Sequence, residues 1–399
     1  MIRMILALVA VMMFAAGTPL FAQEANLELG GYLKYLITES KQPMLEARTD
    51  HLLHGRLNAR WFATGNISAV MELRARAFSG GTVRDTPDFT STLKEDGGFG
   101  SMGMVLWHGG ETAGYAAMDR LYVNATAGRW QFTVGRQRIA WGTNLVWNPV
   151  DLFNPQSVLD FDHEEKPAVD GVRVQYYTGE VTKIEIAATP GTLTRPAHVG
   201  AQWTGNAHGY DRHVLAGVRG SDPYGGIAWA GDIAGGGFRG EMLVAGYDDR
   251  QSAPGSILVP GTTMSVPGTG TGMMVAAALS GDYTFPNSFY VHAEALYNSA
   301  GVTAATALNA PHASRLGLLS PARWSLFQEF SYNISPLVRG GIFGIYNPTD
   351  HSSVVFPSVT WSVITDLDLS LFALFFSGDP GTEYGQGGTA VVARLTWSY

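Results

Sequence analysis

The chain contains no cysteine. That excludes disulfides, a lipoprotein attachment site and a C-x-x-C-H haem motif. Charge is scarce as well. Only 15% of residues are charged, and they sum to −8, which argues against nucleic acid as a partner. Beyond the N-terminus no stretch has the uninterrupted apolar length of a membrane-spanning helix. The ten histidines are scattered, and no serine, histidine and acid gather in a local catalytic signature. Asp211-Arg212-His213 and His292/Glu294 come nearest, and the second pair reads more simply as two residues on one face of a strand. The chain is therefore read as a non-enzyme without a cofactor.

The N-terminus has the order of a secretory signal. Arg3 supplies the positive charge, Met4 to Ala16 the apolar region, Gly17 to Pro19 the break, and Ala22 the small residue before Gln23. Residues 1–22 are expected to be a signal peptide, and 23–399 a single domain. In that domain glycine is abundant, at 49 residues in the whole chain, and aromatics reach 11%. Tight turns use glycine, lipid-facing bands use aromatics, and a low charge fraction suits a surface largely in hydrocarbon.

Side-chain alternation carries the argument further. From Ile67 the odd positions are Ile67, Ala69, Met71, Leu73, Ala75 and Ala77, and the even ones include Ser68, Glu72, Arg74 and Arg76. Leu53, Leu57, Ala59 and Trp61 alternate with His54, Arg56, Asn58 and Arg60, and Leu27 to Ile37 repeats the pattern. The final stretch, Val391 to Tyr399, has Val391, Ala393, Leu395, Trp397 and Tyr399 on one parity. Period two with charges on one side is a strand with one wet face. The apolar parity is expected to face lipid.

Between such segments short and long connections alternate. Ala127-Gly128, Pro286-Asn287 and Asp366-Leu367 are short, whereas 79–118, 139–167 and 300–322 are long. That is the rule of outer-membrane barrels, with short periplasmic turns and longer external loops. The fold class expected is all-β, a single transmembrane antiparallel β-barrel of about 18 strands, or about 16 if the segments around 190–237 merge.

Gly135 to Gln156 is the most distinctive stretch. Two Asn-Pro pairs fix a folded course, because proline restricts itself and the residue before it. Trp141, Trp147, Leu152 and Phe153 are too apolar for a loop in water, so it is expected to fold inward and pack on the barrel wall. Packing on neighbouring loops or on a second subunit is the alternative. Gly135-Arg136-Gln137 followed by Trp141-Gly142, together with the aromatic C-terminal strand, resembles bacterial outer-membrane porin-like families and, more loosely, alginate-export-type barrels.

Two sets of charged residues complete the reading. Arg56, Arg60, Arg74, Arg76, Arg120, Arg136 and Arg173 are expected on the inner face as a basic wall. Asp160, Asp162, Glu164 and Glu165 follow the distinctive loop. Asp160, Asp162 and Glu164 could hold calcium, though a solvated acidic loop is the commoner use. Facing a basic wall, these acids would set a transverse field that orients dipolar solutes. The constriction is expected from Trp141, Trp147, Asn148, Pro149, Asp151, Phe153, Asn154 and Pro155 with those acids. The expected role is a channel for small polar or ionic solutes in the bacterial outer membrane, with its lipids as surroundings. The alternative is a plugged structural barrel that binds an envelope partner or a second copy.

Overall fold

The computed structural model describes residues 26–43, 46–93, 98–154, 168–192, 196–248, 257–259, 262–264, 271–303, 307, 310, 313 and 317–399. The strands begin with β1 (Leu27–Lys41), β2 (Arg48–Thr64), β3 (Ile67–Gly80), β4 (Gly103–Gly109), β5 (Thr112–Ala127), β6 (Trp130–Gln137) and β7 (Val169–Tyr177). They continue with β8 (Lys183–Thr189), β9 (His198–Ala207), β10 (Tyr210–Arg219), β11 (Asp222–Ile233), β12 (Gly236–Asp248), β13 (Ile257–Val259) and β14 (Thr262–Met264). The last are β15 (Thr271–Thr284), β16 (Phe289–Asn298), β17 (Trp324–Ser335), β18 (Val338–Tyr346), β19 (Ser353–Ile364), β20 (Leu367–Ser377) and β21 (Thr389–Ser398). Two short helices lie among the described residues, α1 (Gly81–Asp85) and α2 (Phe89–Thr92).

Eighteen of the strands form a closed antiparallel ring. Closure is made by β21 on β1, in register from Tyr32↔Ser398 to Lys41↔Thr389. A closed ring leaves no unpaired strand edge, which is what a sheet in hydrocarbon requires. The segments around 190–237 do not merge: β9, β10 and β11 are separate strands. The three strands outside the ring were expected to be loop. β13 and β14 pair only with each other, and β4 pairs with β5.

Burial is inverted relative to a soluble protein. Leu29 is 55% exposed and Val391 54%, whereas Lys34 is 0% and Glu241 1%. The apolar parity faces outward and the polar parity inward, as period two with a lipid solvent demands. Aromatic residues mark both ends of the outer band, with Trp61, Trp130, Trp361 and Tyr332 near the short turns and Trp324 and Tyr346 near the long loops. Two of the short turns have positive φ at both central residues: His208 with Gly209, and Ala234 with Gly235. Positive φ at both central residues matches the twist of the flanking strands.

Two departures from strict alternation position the inner charges. A register shift between β3 and β5 falls at Glu72/Leu73, opposite Met118 to Arg120. A bulge places adjacent side chains on one face, and here both Asp119 and Arg120 reach the inner arginines and Glu72. The second departure is the early end of β6. β6, β7 and β8 have 8, 9 and 7 residues, against 15 and 17 for β1 and β2. β6 flanks only Leu121–Ala127 of β5, and β4 flanks Thr112–Ala117 instead. The wall place left open when the chain departs after Gln137 is thus taken by β4.

Arg136 is a correction. It lies opposite Leu121 on β5 and Asp170 on β7, the outward parity, and alternates with the buried Gln137. Its guanidinium pairs with Asp170 at 2.8 Å and donates to the Gly100 carbonyl at 2.6 Å. It therefore holds the approach to β4 onto the wall and is no part of an inner basic face. Trp130, Phe132 and Val134 already set that parity outward, so the inner place expected for Arg136 followed its charge and not the alternation.

Candidate functional site

The inner wall from β1 to β5 carries the basic residues. Arg56 faces Tyr32 and Arg74 across the strands, His54 faces Lys34 and Arg76, and Arg60 faces Glu28. Arg173 on β7 faces Thr133 and Ala187, also inward. Much of this charge is compensated. Arg56 pairs with Glu72 and with Asp119 at 2.8 Å, Arg74 with Asp119 at 2.9 Å, and Arg120 with Glu72 at 3.1 Å. Arg60 and Glu28, at 3.9 Å, are both well exposed, so solvent screens them. Three arginines on two carboxylates leave the network positive. Lys34 and Arg394 join the wall. Lys34 lies 4.2 Å from the Tyr32 ring centre, and Arg394 5.8 Å from that of Phe372.

After Gln137 the chain binds residues of the inner parity. Gln137 Nε2 donates to the Thr133 and Gly171 carbonyls at 3.1 Å each, which closes the end of β6. The Ile139 N–H donates to Asn154 Oδ1 at 2.8 Å, tying the two ends of the segment together. Between them three carboxylates on three strands receive it. Trp141 Nε1 donates to Glu185 on β8 at 2.8 Å. The N–H groups of Thr143, Asn144 and Val150 all donate to Glu241 on β12. Those of Val146 and Trp147 donate to Glu294 on β16, at 3.1 and 2.7 Å.

Glu241 and Glu294 thus replace water with backbone donors and Glu185 with side-chain donors, Trp141, Gln175 and Lys183, the condition for keeping a charge in a closed space. Asn148-Pro149 makes a turn, with the Asp151 N–H on the Asn148 carbonyl at 3.0 Å. The apolar side chains are buried to match. Trp141, Val150 and Phe153 pack with Leu215, Tyr224 and Leu243, and Trp147 with Leu296 and Phe327. Phe153 stacks on His198 at 3.8 Å. Asn148, Asp151 and Asn154 are buried too. Pro155, Asp160, Asp162, Glu164 and Glu165 lie outside the described residues, so the calcium reading of Asp160, Asp162 and Glu164 does as well. Among the described residues no group of His, Asp and Glu has the arrangement of a metal site.

Parity reasoning missed three contributors. Asp119 required the bulge, which a period-two count cannot show. Glu241 and Arg394 stand on readable inward positions, but the groups they meet come from other parts of the chain.

Near the long-loop rim, Glu383 joins three connections. Ser320 and Tyr384 hydroxyls donate to its Oε1 at 3.0 and 3.1 Å, and Asn347 Nδ2 to its Oε2 at 3.0 Å. Burial pushes this carboxyl above the ordinary range against those donors.

No family model matches the chain, and no curated protein matches it. Solved structures share its fold. OccK5 (OpdH) of Pseudomonas aeruginosa superposes with TM-score 0.57 at 8% identity, over 93% of this chain and 97% of its own. OccAB2 of Acinetobacter baumannii gives 0.55 at 9%, over 93% and 98%. OccK8 (OprE) of P. aeruginosa gives 0.54 at 9%, over 94% and 97%. The fold is that of an outer-membrane β-barrel of porin architecture. The likeness is to Occ-type barrels, which replaces the alginate-export likeness expected from Gly135–Gly142.

Proposed function

We propose that the protein is an outer-membrane channel for small hydrophilic solutes, with the 138–154 segment narrowing the lumen. The observation that carries this reading is the attachment of that segment to Glu185, Glu241 and Glu294, inward residues of β8, β12 and β16. They stand across the ring from the arginines of β2 and β3, so the narrowed passage runs beside a positive wall. Arg56, Arg60, Arg74, Arg76, Arg120 and Arg173 give that wall, and fixed charge beside a low-dielectric channel selects ions by sign. Asp160, Asp162, Glu164 and Glu165 would supply the opposing charge, in the 13 residues between Asn154 and Ala168. The Occ-type barrels of similar fold support a channel role over an enzymatic one. Residues 1–22 would direct export. Single-channel recording of folded protein in planar bilayers tests the reading: stable conductance with anion preference is expected, and none refutes it.

A second reading has one observation in its favour. Trp141, Val150 and Phe153 are almost completely buried against the inner wall, as in a plug. A structural barrel bound to an envelope partner would show no conductance and would co-purify with that partner.

A further inference from the structure

Glu294 meets two kinds of partner. Its Oε1 accepts the Trp147 N–H at 2.7 Å and its Oε2 the Val146 N–H at 3.1 Å, which fixes the middle of the inward segment. The same Oε2 lies 3.5 Å from Nε2 of His292, two residues earlier on β16. On the other side the ring turns Nδ1 toward Oε2 of Glu329 on β17, 3.8 Å away. His292 is 1% exposed, and its Nε2 makes no hydrogen bond among the described residues. Such distances are those of charge facing charge and not of a fixed donor and acceptor. The ring is thus wedged between two carboxylates, Glu294 fully buried and Glu329 partly open to the lumen.

The other groups around the ring leave this arrangement standing. Asp282 is opposite His292 on β15 and is paired with Arg239 of β12. Tyr290 and Phe327 bring rings, with centres 6.4 and 5.1 Å from that of His292. From β18, Phe343 stands opposite Glu329, and Arg339 donates to Ser331 at 2.8 Å. The inward segment adds Val146 and Trp147, neither of which titrates. An imidazolium has an N–H on each nitrogen and faces both carboxylates at once. Neutral imidazole has one, so in either tautomer the second nitrogen turns a lone pair toward a carboxylate. A buried charge that loses its partner destabilises the arrangement around it.

We propose that His292 is the positioning residue of the Glu294 anchor, and that its proton sets how firmly residues 146 and 147 narrow the lumen. With the ring charged, Glu294 stays in place and keeps both N–H groups. With the ring neutral, the carboxylates are no longer balanced and the segment loosens. Histidine is the side chain whose charge ordinarily changes near neutral pH, and Glu329 gives its proton a route to lumen water. The inference rests on the channel reading. It adds a control that the fixed charge of the arginines does not supply.

The test is single-channel recording of the full chain in planar bilayers at constant salt, from about pH 5 to about pH 9. Wild type should pass from a quiet, smaller conductance in acid to a noisier, larger one in alkali. The time spent in the larger state should rise roughly fivefold, equivalent to about 1 kcal/mol between a charged and a neutral contact. His292→Gln has no proton to lose and should show the alkaline behaviour at every pH. His292→Lys keeps its charge over this range and should show the acid behaviour throughout. Heat-modifiable migration identifies the folded variants, and either one decides alone if the other fails to fold. A wild-type trace that does not change with pH overturns the proposal, as does the wild-type pH profile in a folded variant. Absence of any current refutes the channel reading itself, whereas current whose pH response ignores residue 292 refutes only this assignment.

Discussion

Glu241→Ala is the sharpest perturbation of the inward segment. Its carboxylate accepts N–H groups from Thr143, Asn144 and Val150, and Asn144 and Val150 are buried. A buried donor left without an acceptor costs about 1–3 kcal/mol, so three cost on the order of 3–9 kcal/mol if the segment stays in place. The segment avoids that cost by moving until water reaches the three groups. Glu294 and Glu185 still hold its neighbours, so the change is a loosening around 143–150 and not full release. The expected result in single-channel recording is a larger mean conductance with added open-state noise. Glu241→Gln keeps a neutral acceptor and should fall between the two. The barrel itself should survive, because the substitution leaves the backbone of residue 241 paired in the β11–β12 and β12–β15 ladders, in which its side chain takes no part. Heat-modifiable migration on gels checks that. A folded Glu241→Ala protein with wild-type conductance and noise would refute the idea that this segment limits the passage.

Gly31→Leu should prevent barrel closure. The Tyr399 ring crosses over Gly31 and its hydroxyl donates to the Arg56 carbonyl at 2.9 Å, and any Cβ at Gly31 would collide with that carbonyl oxygen. Loss of the heat-modifiable form is the readout, while Tyr399→Phe, which deletes one hydrogen bond worth about 1 kcal/mol, should still fold. Asp119→Asn removes one of two carboxylates shared by three arginines, so reversal potentials in a salt gradient should shift toward anions, most strongly at low ionic strength. At the outer rim, Glu383 has a folded pKa raised above its ordinary 4.5 by burial. The protonated form is favoured by folding, so its contribution is fully present below pH 4.5 and is lost as pH rises through the folded value. Thermal melts should therefore show a fall with pH in wild type that is absent in Glu383→Gln.

The sequence alone determined the sheet. Period-two alternation, read from Leu27 to Tyr399, depends only on which neighbours are apolar, and a bilayer solvent turns that pattern into an outward face. Strand number followed from alternating short and long connections, and Arg56, Arg74 and Arg173 followed from parity. Tertiary structure decided what those side chains meet. Arg136 keeps the outward parity of Phe132 and Val134, where Asp170 pairs its charge beside the flank that β4 takes. Asp119 turned inward at a bulge, where one extra residue breaks the period that a local count assumes. Glu241 and Glu294 receive the 138–154 segment from positions about 90 to 150 residues further on. A local pattern reports which solvent a face prefers. Pairing between distant residues is set by closure of the ring, and no single segment contains it.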